Sequence, residues 1–337
     1  MSETATYIII QTGFIGDIAL AMFTAESIRV QKPDATIIMV TTPIGAEIVS
    51  AFPTIVDDIV IFDKRNAHKG FHGLQVCAAE ISRYNPTALI AVHRSLRTTL
   101  LTLLSKATIK IGFKNSALSF MYSKSVHYRR DCHEIERNNE LLKPLGFYIP
   151  AIHPPGILSR NSTLLNQVNS PKNTIVIAPG SVWHTKKWPA KNFVDLIRLV
   201  HERTDYTITL IGSKSDVELC NVIKEQFGNR VLNFAGTMTL LETMSLLKKS
   251  DLLIANDSAP IHLASLVNCK TVALFGPTHP AFGFGPLADK SIVIQQELSC
   301  RPCSIHGQNE CPLQHHNCLN TISPEIVFEQ SLALISQ

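Results

Sequence analysis

Three stretches put reactive side chains where an apolar run gives way to a helical pattern. The first is Gln11-Thr-Gly-Phe-Ile-Gly-Asp17, which follows the β-branched run Tyr7–Gln11. Gly13 and Gly16 permit close backbone approach, and helix-start amides favour an anion. The spacing is not GxGxxG, and no P-loop lysine follows. Asp17 then either caps the helix or stands as a general base. The second is Ala178-Pro-Gly-Ser-Val-Trp-His-Thr-Lys-Lys-Trp-Pro189. Gly180 and Ser181 precede Lys186 and Lys187, and lysines at a helix start oppose the macrodipole unless an anion joins them. A bound polyphosphate would supply that anion. The third is Asn256-Asp-Ser-Ala-Pro-Ile-His262. Asp257 and Ser258 can cap a helix or leave its amides to a diphosphate. His262 falls one turn in, a position where a lone histidine is more often structural. Phe275-Gly-Pro-Thr-His-Pro280 adds one more glycine-proline turn after a strand.

A fourth pattern is Cys300-x2-Cys303-x7-Cys311-x6-Cys318, with His306, His315 and His316 nearby. In a reducing compartment this spacing is that of a small structural zinc or iron knuckle, of plain reduced thiols, or of a labile disulfide. Cys77, Cys132, Cys220 and Cys269 read as packing residues.

The elements that must position these groups alternate strand and helix. Strands are expected at Tyr7–Gln11, Thr36–Thr41, Asp58–Phe62 and Thr87–Val92, with helices at Asp17–Val30, Ala46–Ala51, Gly73–Arg83 and Leu96–Ser105. The second half repeats this grammar. Strands fall at Thr174–Ala178, Thr207–Ile211, Val231–Phe234, Asp251–Ala255 and Thr271–Phe275, and helices at Ala190–Arg203, Ser215–Phe227, Leu240–Lys249 and Ala259–Leu266. Continuous apolar strands separated by helices predict an α/β chain of two doubly wound parallel sheets. The expected division is residues 1–150, a proline-rich linker at 151–173, and residues 174–337. Ligands of such sheets bind beyond the carboxyl ends of the strands, so the loops are expected to face one interdomain cleft.

At 337 residues, 45% hydrophobic and 17% charged, the chain is rich enough in apolar residues to exclude a mainly disordered protein. No apolar run approaches the ~20 residues of a membrane span, and Met1–Thr6 is too polar for a signal-peptide core. A cytoplasmic protein is expected. The net charge of +4 hides an asymmetry: Lys64 to Arg130 holds twelve basic residues and Glu80 as its one acid. That window carries +11 and leaves −7 elsewhere, so one segment is built to meet negative charge. Nucleic acid is the poorer target, because aromatics are only 7% and no stacking platform is evident. A nicotinamide oxidoreductase lacks its fingerprint after the first strand.

Taken together, Gly16-Asp17, Gly180-Ser181 with Lys186-Lys187-Trp188-Pro189, and Asn256-Asp-Ser-Ala-Pro-Ile-His-Leu-Ala264 with Gly276-Pro-Thr278 resemble the heptosyltransferases of glycosyltransferase family nine. Cys318-Leu-Asn-Thr-Ile322 and Pro324-Glu325 are similar to that family too, and the likeness runs from Tyr7 to Val327. The resemblance implies a GT-B fold, two Rossmann-like domains with acceptor on the first and nucleotide sugar on the second. It implies inverting, metal-independent transfer of L-glycero-D-manno-heptose from ADP-heptose to the lipopolysaccharide inner core, at the cytoplasmic face of the inner membrane. No catalytic cofactor is expected, and the absence of an Asp-x-Asp motif agrees with that. By the motif match Asp17 is the base, Lys186 or its neighbour Lys187 binds phosphate, and Asp257 contacts the donor beside Ser258 and Ala259. Gly16, Gly180, Ser181 and His262 fall within the same motifs. Asp216 matches a ribose-holding carboxylate and Met238 an adenine contact. Lys64, Arg65, Arg94 and Arg97 are the candidates for the anionic Kdo/heptose–lipid A acceptor. Trp183-His-Thr-Lys-Lys-Trp-Pro189 resembles the second heptosyltransferase more than the first. Another nucleotide-sugar transferase or epimerase of the fold is the nearest alternative. The family commonly has glycine where Ala259 stands.

Overall fold

The computed structural model describes residues 4–149 and 173–337, which fall into two compact units, residues 1–153 and 154–337. In the first unit, β1 (Thr6–Ile10), β2 (Thr36–Thr41), β3 (Asp58–Ile61), β4 (Ala88–Ala91), β5 (Ile109–Phe113) and β6 (Lys124–Val126) make one sheet ordered β3-β2-β1-β4-β5-β6. Every neighbouring pair is parallel. Its helices are α1 (Ile15–Gln31), α2 (Pro43–Val49), α3 (Gly70–Ser82), α4 (Leu96–Leu104) and α5 (Glu134–Glu140).

The second unit repeats the plan. Strands β7 (Thr174–Ala178), β8 (Thr207–Leu210), β9 (Val231–Asn233), β10 (Leu252–Asn256), β11 (Thr271–Phe275) and β12 (Ser291–Gln295) run parallel in the order β12-β11-β10-β7-β8-β9. Read from its other edge, this is the first unit's order. Helices α6 (Ala190–Arg203), α7 (Val217–Glu225), α8 (Leu240–Lys249), α9 (Ala259–Val267), α10 (Asn317–Asn320) and α11 (Pro324–Ser336) accompany it.

The central strands form because their runs are apolar throughout and can be covered on both faces. β4, β7, β10 and β11 are buried at every residue. α6 is amphipathic, burying Phe193, Leu196, Ile197 and Val200 on one stripe against the sheet. α1 is different: Ile18 to Ile28 is buried without interruption, Glu26 included. Caps fix several starts. Thr42 accepts from the Gly45 amide, Thr239 and Glu242 form a reciprocal capping box, and Ser323 accepts from the Ile326 amide.

Strands β5, β6 and β12 and helix α5 were not signalled by the sequence. Lys110 and Gly112 interrupt the β5 pattern, and β6 is a short polar edge strand. The first helix begins at Ile15 rather than Asp17, which moves Asp17 inside its first turn. The expected linker at 151–173 lies outside the described residues except for Asn173. Among the described residues no helix is long and apolar enough to cross a membrane.

Candidate functional site

In each sheet the strand order reverses once, between β1 and β4 and between β7 and β10. The loops that leave the carboxyl ends of two such strands diverge and open a crevice. Asp17 and the residues after β4 share the first of these points; Lys186 and Asp257 share the second.

At the first point, Asp17 sits in the opening turn of α1 and its Oδ2 accepts from the Phe14 amide at 3.3 Å. It is therefore both cap and candidate base. Burial pushes its pKa up to about 6, with help from Glu134, against the pull of the Phe14 N–H and Arg94. A carboxyl poised there is a competent base near neutral pH. His93, just past β4, stands beside it. Its Nδ1 lies within 3.1–3.3 Å of the hydroxyls of Thr12, Ser95 and Thr98. Behind Asp17 a buried pair holds α5: Arg137 Nη1 donates to Glu134 Oε2 at 2.9 Å, and the Tyr128 hydroxyl donates to the same oxygen at 2.7 Å.

Of the expected acceptor residues, Lys64 donates to the Thr12 carbonyl at 2.9 Å and so reaches the Asp17 loop directly. Arg94 is exposed, its guanidinium 3.9 Å from the Tyr128 ring centre. Arg65 and Arg97 are exposed, and both press on Lys64 electrostatically. Elsewhere in the basic window three of the cations have partners. Arg129 pairs with Asp131 and Glu140, Lys110 donates to the Leu103 carbonyl, and Lys124 to that of Pro144.

At the second point, Lys186 Nζ lies 2.7 Å from Asp257 Oδ2, with both side chains nearly buried. Thr278 Oγ1 donates to the same carboxylate oxygen at 2.5 Å. The strained lysine expected at a helix start thus has its counter-charge within the protein. Asn256, fully buried, holds the two loops together: its Oδ1 accepts from the Trp188 amide and its Nδ2 donates to the Pro179 carbonyl. Trp188 anchors the lysine loop, its indole donating to the Ile322 carbonyl and its ring edge-on to Phe193.

Ser258 precedes α9 but does not cap it; its hydroxyl donates to the carbonyls of Asn256 and Gly180. The Asp257 amide is not open to a ligand, because it donates to the Leu274 carbonyl and extends the sheet. Ala259 is the first residue of α9. Asp216 is buried and accepts from both the amide and the hydroxyl of Ser213. Gly180 is required beneath it: a Cβ there would come 2.3 Å from the Asp216 carboxylate. Ser181, Lys187 and Met238 are half-buried, as is Gly16 in the first turn of α1. His262 is buried, with its ring edge-on to that of Phe284 at 6.5 Å between centres.

The four C-terminal cysteines lie in one neighbourhood, where Cys300, Cys303 and Cys311 all act electrostatically on Cys318. Cys318 packs into the apolar core of its unit, Cys303 is exposed, and all are free. Among the described residues no three His, Cys, Asp or Glu side chains are placed so that they could hold a metal ion. The segment buttresses the second site. Arg301 donates to the carbonyls of Gly276, Gln296 and Thr278, and the Gln308 backbone exchanges hydrogen bonds with Thr185, next to Lys186.

Sequence reasoning missed His93, Glu134, Asn256 and Arg301. Only Asn256 carried a signal, its place at a strand end before Asp-Ser.

Two Rossmann-like sheets of identical order, each with charged groups at its switch point, make the two-domain GT-B architecture. Residues 77–314 match glycosyltransferase family 9 (heptosyltransferase), and the chain belongs to that family. It is 33% identical over 169 residues to lipooligosaccharide heptosyltransferase 2 of Campylobacter jejuni, a match covering 49% of this chain and 51% of that protein. The chain thus spans about half the length of the curated relatives it matches. Its fold is shared with the family 9 glycosyl transferase of Veillonella parvula, with TM-score 0.81 and 22% identity over 100% of this chain and 99% of that one. The E. coli heptosyltransferase WaaC, solved with ADP, has TM-score 0.80 at 18% identity, over 98% of this chain and 99% of that one.

Proposed function

We propose that this chain transfers L-glycero-D-manno-heptose from ADP-heptose to the inner core of lipopolysaccharide, by inversion and without a catalytic metal. The observation that carries the proposal is the pairing of chemistries: a carboxylate with a pKa of about 6 at one switch point, and a nearly buried lysine at the other. Glycosyl transfer needs a base for the attacking hydroxyl and cationic stabilisation of the departing diphosphate. Asp17 takes the proton of the hydroxyl. Lys186, with the amides at the start of α9, holds the diphosphate, and Lys187 lies next in the chain. Asp257 positions Lys186 and is the candidate contact for the sugar. Asp216 and Met238 flank the ribose and adenine, and Gly180 and Ser181 give the close approach between them. One displacement at the anomeric carbon inverts it.

Lys64, Arg65, Arg94 and Arg97 suit an acceptor bearing phosphates and Kdo carboxylates. The likeness to heptosyltransferase 2 of C. jejuni favours an acceptor that already carries one heptose. Peripheral contact with the cytoplasmic face of the inner membrane is part of the same reading. In its support, Phe120 is 82% and Met121 50% exposed on the segment between β5 and β6, which the exposed Lys114 and Lys124 flank.

Calorimetry with ADP, UDP and GDP tests the donor. ADP is expected to bind with the highest affinity, and preference for UDP would overturn the heptose reading in favour of another nucleotide sugar.

A further inference from the structure

We propose that His93 holds the attacking hydroxyl of the acceptor against Asp17, through a hydrogen bond from Nε2–H. The proposal rests on the reading of the first unit as the acceptor unit and adds a residue to its chemistry. Counted from the residues paired with the end of the central strand, Ala91 with Ile10 and Ala255 with Ala178, His93 and Asp257 both stand two residues on.

The ring is held from one side. Nδ1 is 3.2 Å from Thr12 Oγ1, 3.1 Å from Thr98 Oγ1 and 3.3 Å from Ser95 Oγ. Those hydroxyls also touch one another, and Ser95 is fixed as the cap of α4 by the Thr98 amide. Nδ1 is the one nitrogen acceptor in this cluster and a better acceptor than an alcohol oxygen. A hydroxyl therefore donates to it, and the ring hydrogen resides on Nε2. Among the described residues Nε2 makes no hydrogen bond. A histidine kept only for packing has no need of an open second nitrogen on a half-buried ring.

The open edge borders Asp17. A Cβ at Gly13 would lie 3.0 Å from Asp17 Oδ2 and 3.4 Å from His93 Cδ2, the carbon next to Nε2. Asp17 Oδ2, Gln11 Oε1 and the His93 ring edge thus converge on the bare backbone of Gly13, which puts the base and the hydrogen-bond donor beside the same point. Burial, with Lys64 and Arg94, pushes the pKa of His93 down to about 4, so the ring stays neutral where Asp17 is ionised. In the step, the hydroxyl O–H bond breaks and its proton passes to Asp17. The oxygen bonds to the anomeric carbon, whose bond to the diphosphate breaks with the electron pair leaving on phosphate. His93 keeps its own proton throughout.

The test compares wild type, His93→Ala and His93→Gln by steady-state transfer from ADP-heptose to a truncated lipopolysaccharide acceptor, with ADP calorimetry, thermal melting and a pH profile. Glutamine can place an amide N–H near the Nε2 position. His93→Ala is expected to lose about 100-fold in kcat with ADP affinity unchanged. His93→Gln is expected to recover about tenfold of that loss, and the acid limb near pH 6 to persist in both. Transfer by His93→Ala within about twofold of wild type would overturn the proposal, as would His93→Gln no better than His93→Ala with both melting as wild type. Loss of the acid limb in His93→Gln would make His93 the base and overturn the assigned role. No transfer by wild type would instead overturn the acceptor reading, and this proposal with it.

Discussion

Lys186 Nζ lies 2.7 Å from Asp257 Oδ2, so the lysine assigned to phosphate is already held by the carboxylate assigned to the sugar. Both side chains are largely withdrawn from water, at 12% and 6% exposure, and the carboxylate has Thr278 as a second partner. Removing one member of such a pair leaves the other buried and unbalanced. Lys186→Ala is expected to cost about 3 kcal/mol of stability in chemical denaturation and to weaken ADP binding. Lys187→Ala, with no ion pair to break among the described residues, is expected to leave stability unchanged and to affect ADP far less. The reverse order would move the phosphate role to Lys187.

Asp17 is expected to set the acid limb of kcat/KM. Its pKa is raised to about 6, so the base form is lost as pH falls through that value. Because the folded state holds this proton more tightly than the unfolded one, folding stability contributed by Asp17 is present below about 4 and lost by about 6. Asp17→Asn is therefore expected to abolish transfer, keep ADP affinity, and melt higher than wild type at pH 8. Unchanged turnover would remove Asp17 as the base.

A second raised carboxyl lies away from the site. Glu26 is 3% exposed within α1, its Oε1 has no hydrogen-bond partner among the described residues, and burial pushes its pKa up to about 7. The stability it confers is full below about pH 4.5 and gone above about 7, a difference on the order of 3 kcal/mol. Glu26→Gln is expected to raise the melting temperature at pH 8 and hardly at all at pH 4.5. Equal shifts at both would show that the carboxyl is not protonated in the folded protein.

Gly180 separates the strand end from the Asp216 carboxylate, and a Cβ would intrude to 2.3 Å. Gly180→Ala is expected to displace Asp216 from Ser213, lower the melting temperature and weaken ADP binding more than tenfold. Ser181→Ala, at a half-buried neighbour, is expected to change ADP affinity less than threefold. Calorimetry of the two variants decides it.

Much of this was legible beforehand because apolar strands that end in Thr-Gly, Pro-Gly or Asp-Ser announce both a sheet and its loops. Asp17, Lys186 and Asp257 fell at such ends. Their partners did not, for two reasons. His93 follows a strand without a glycine or proline to mark a turn, and the hydroxyl of Thr12 that holds it lies 81 residues away. Asp257 neutralises Lys186 across two strands that are neighbours only in the sheet. The cysteine spacing signalled that these residues would come together, and they do, with Cys318 drawn into the core beside Leu319 and Ile322.

The most direct test of the heptosyltransferase account is product analysis with ADP-heptose and a panel of truncated lipopolysaccharide acceptors, in excess chelator. The account predicts one heptose added with inverted anomeric configuration, ADP released, and the acceptor that already bears one heptose preferred. No transfer to any acceptor of the panel, or transfer that requires an added divalent cation, would contradict it.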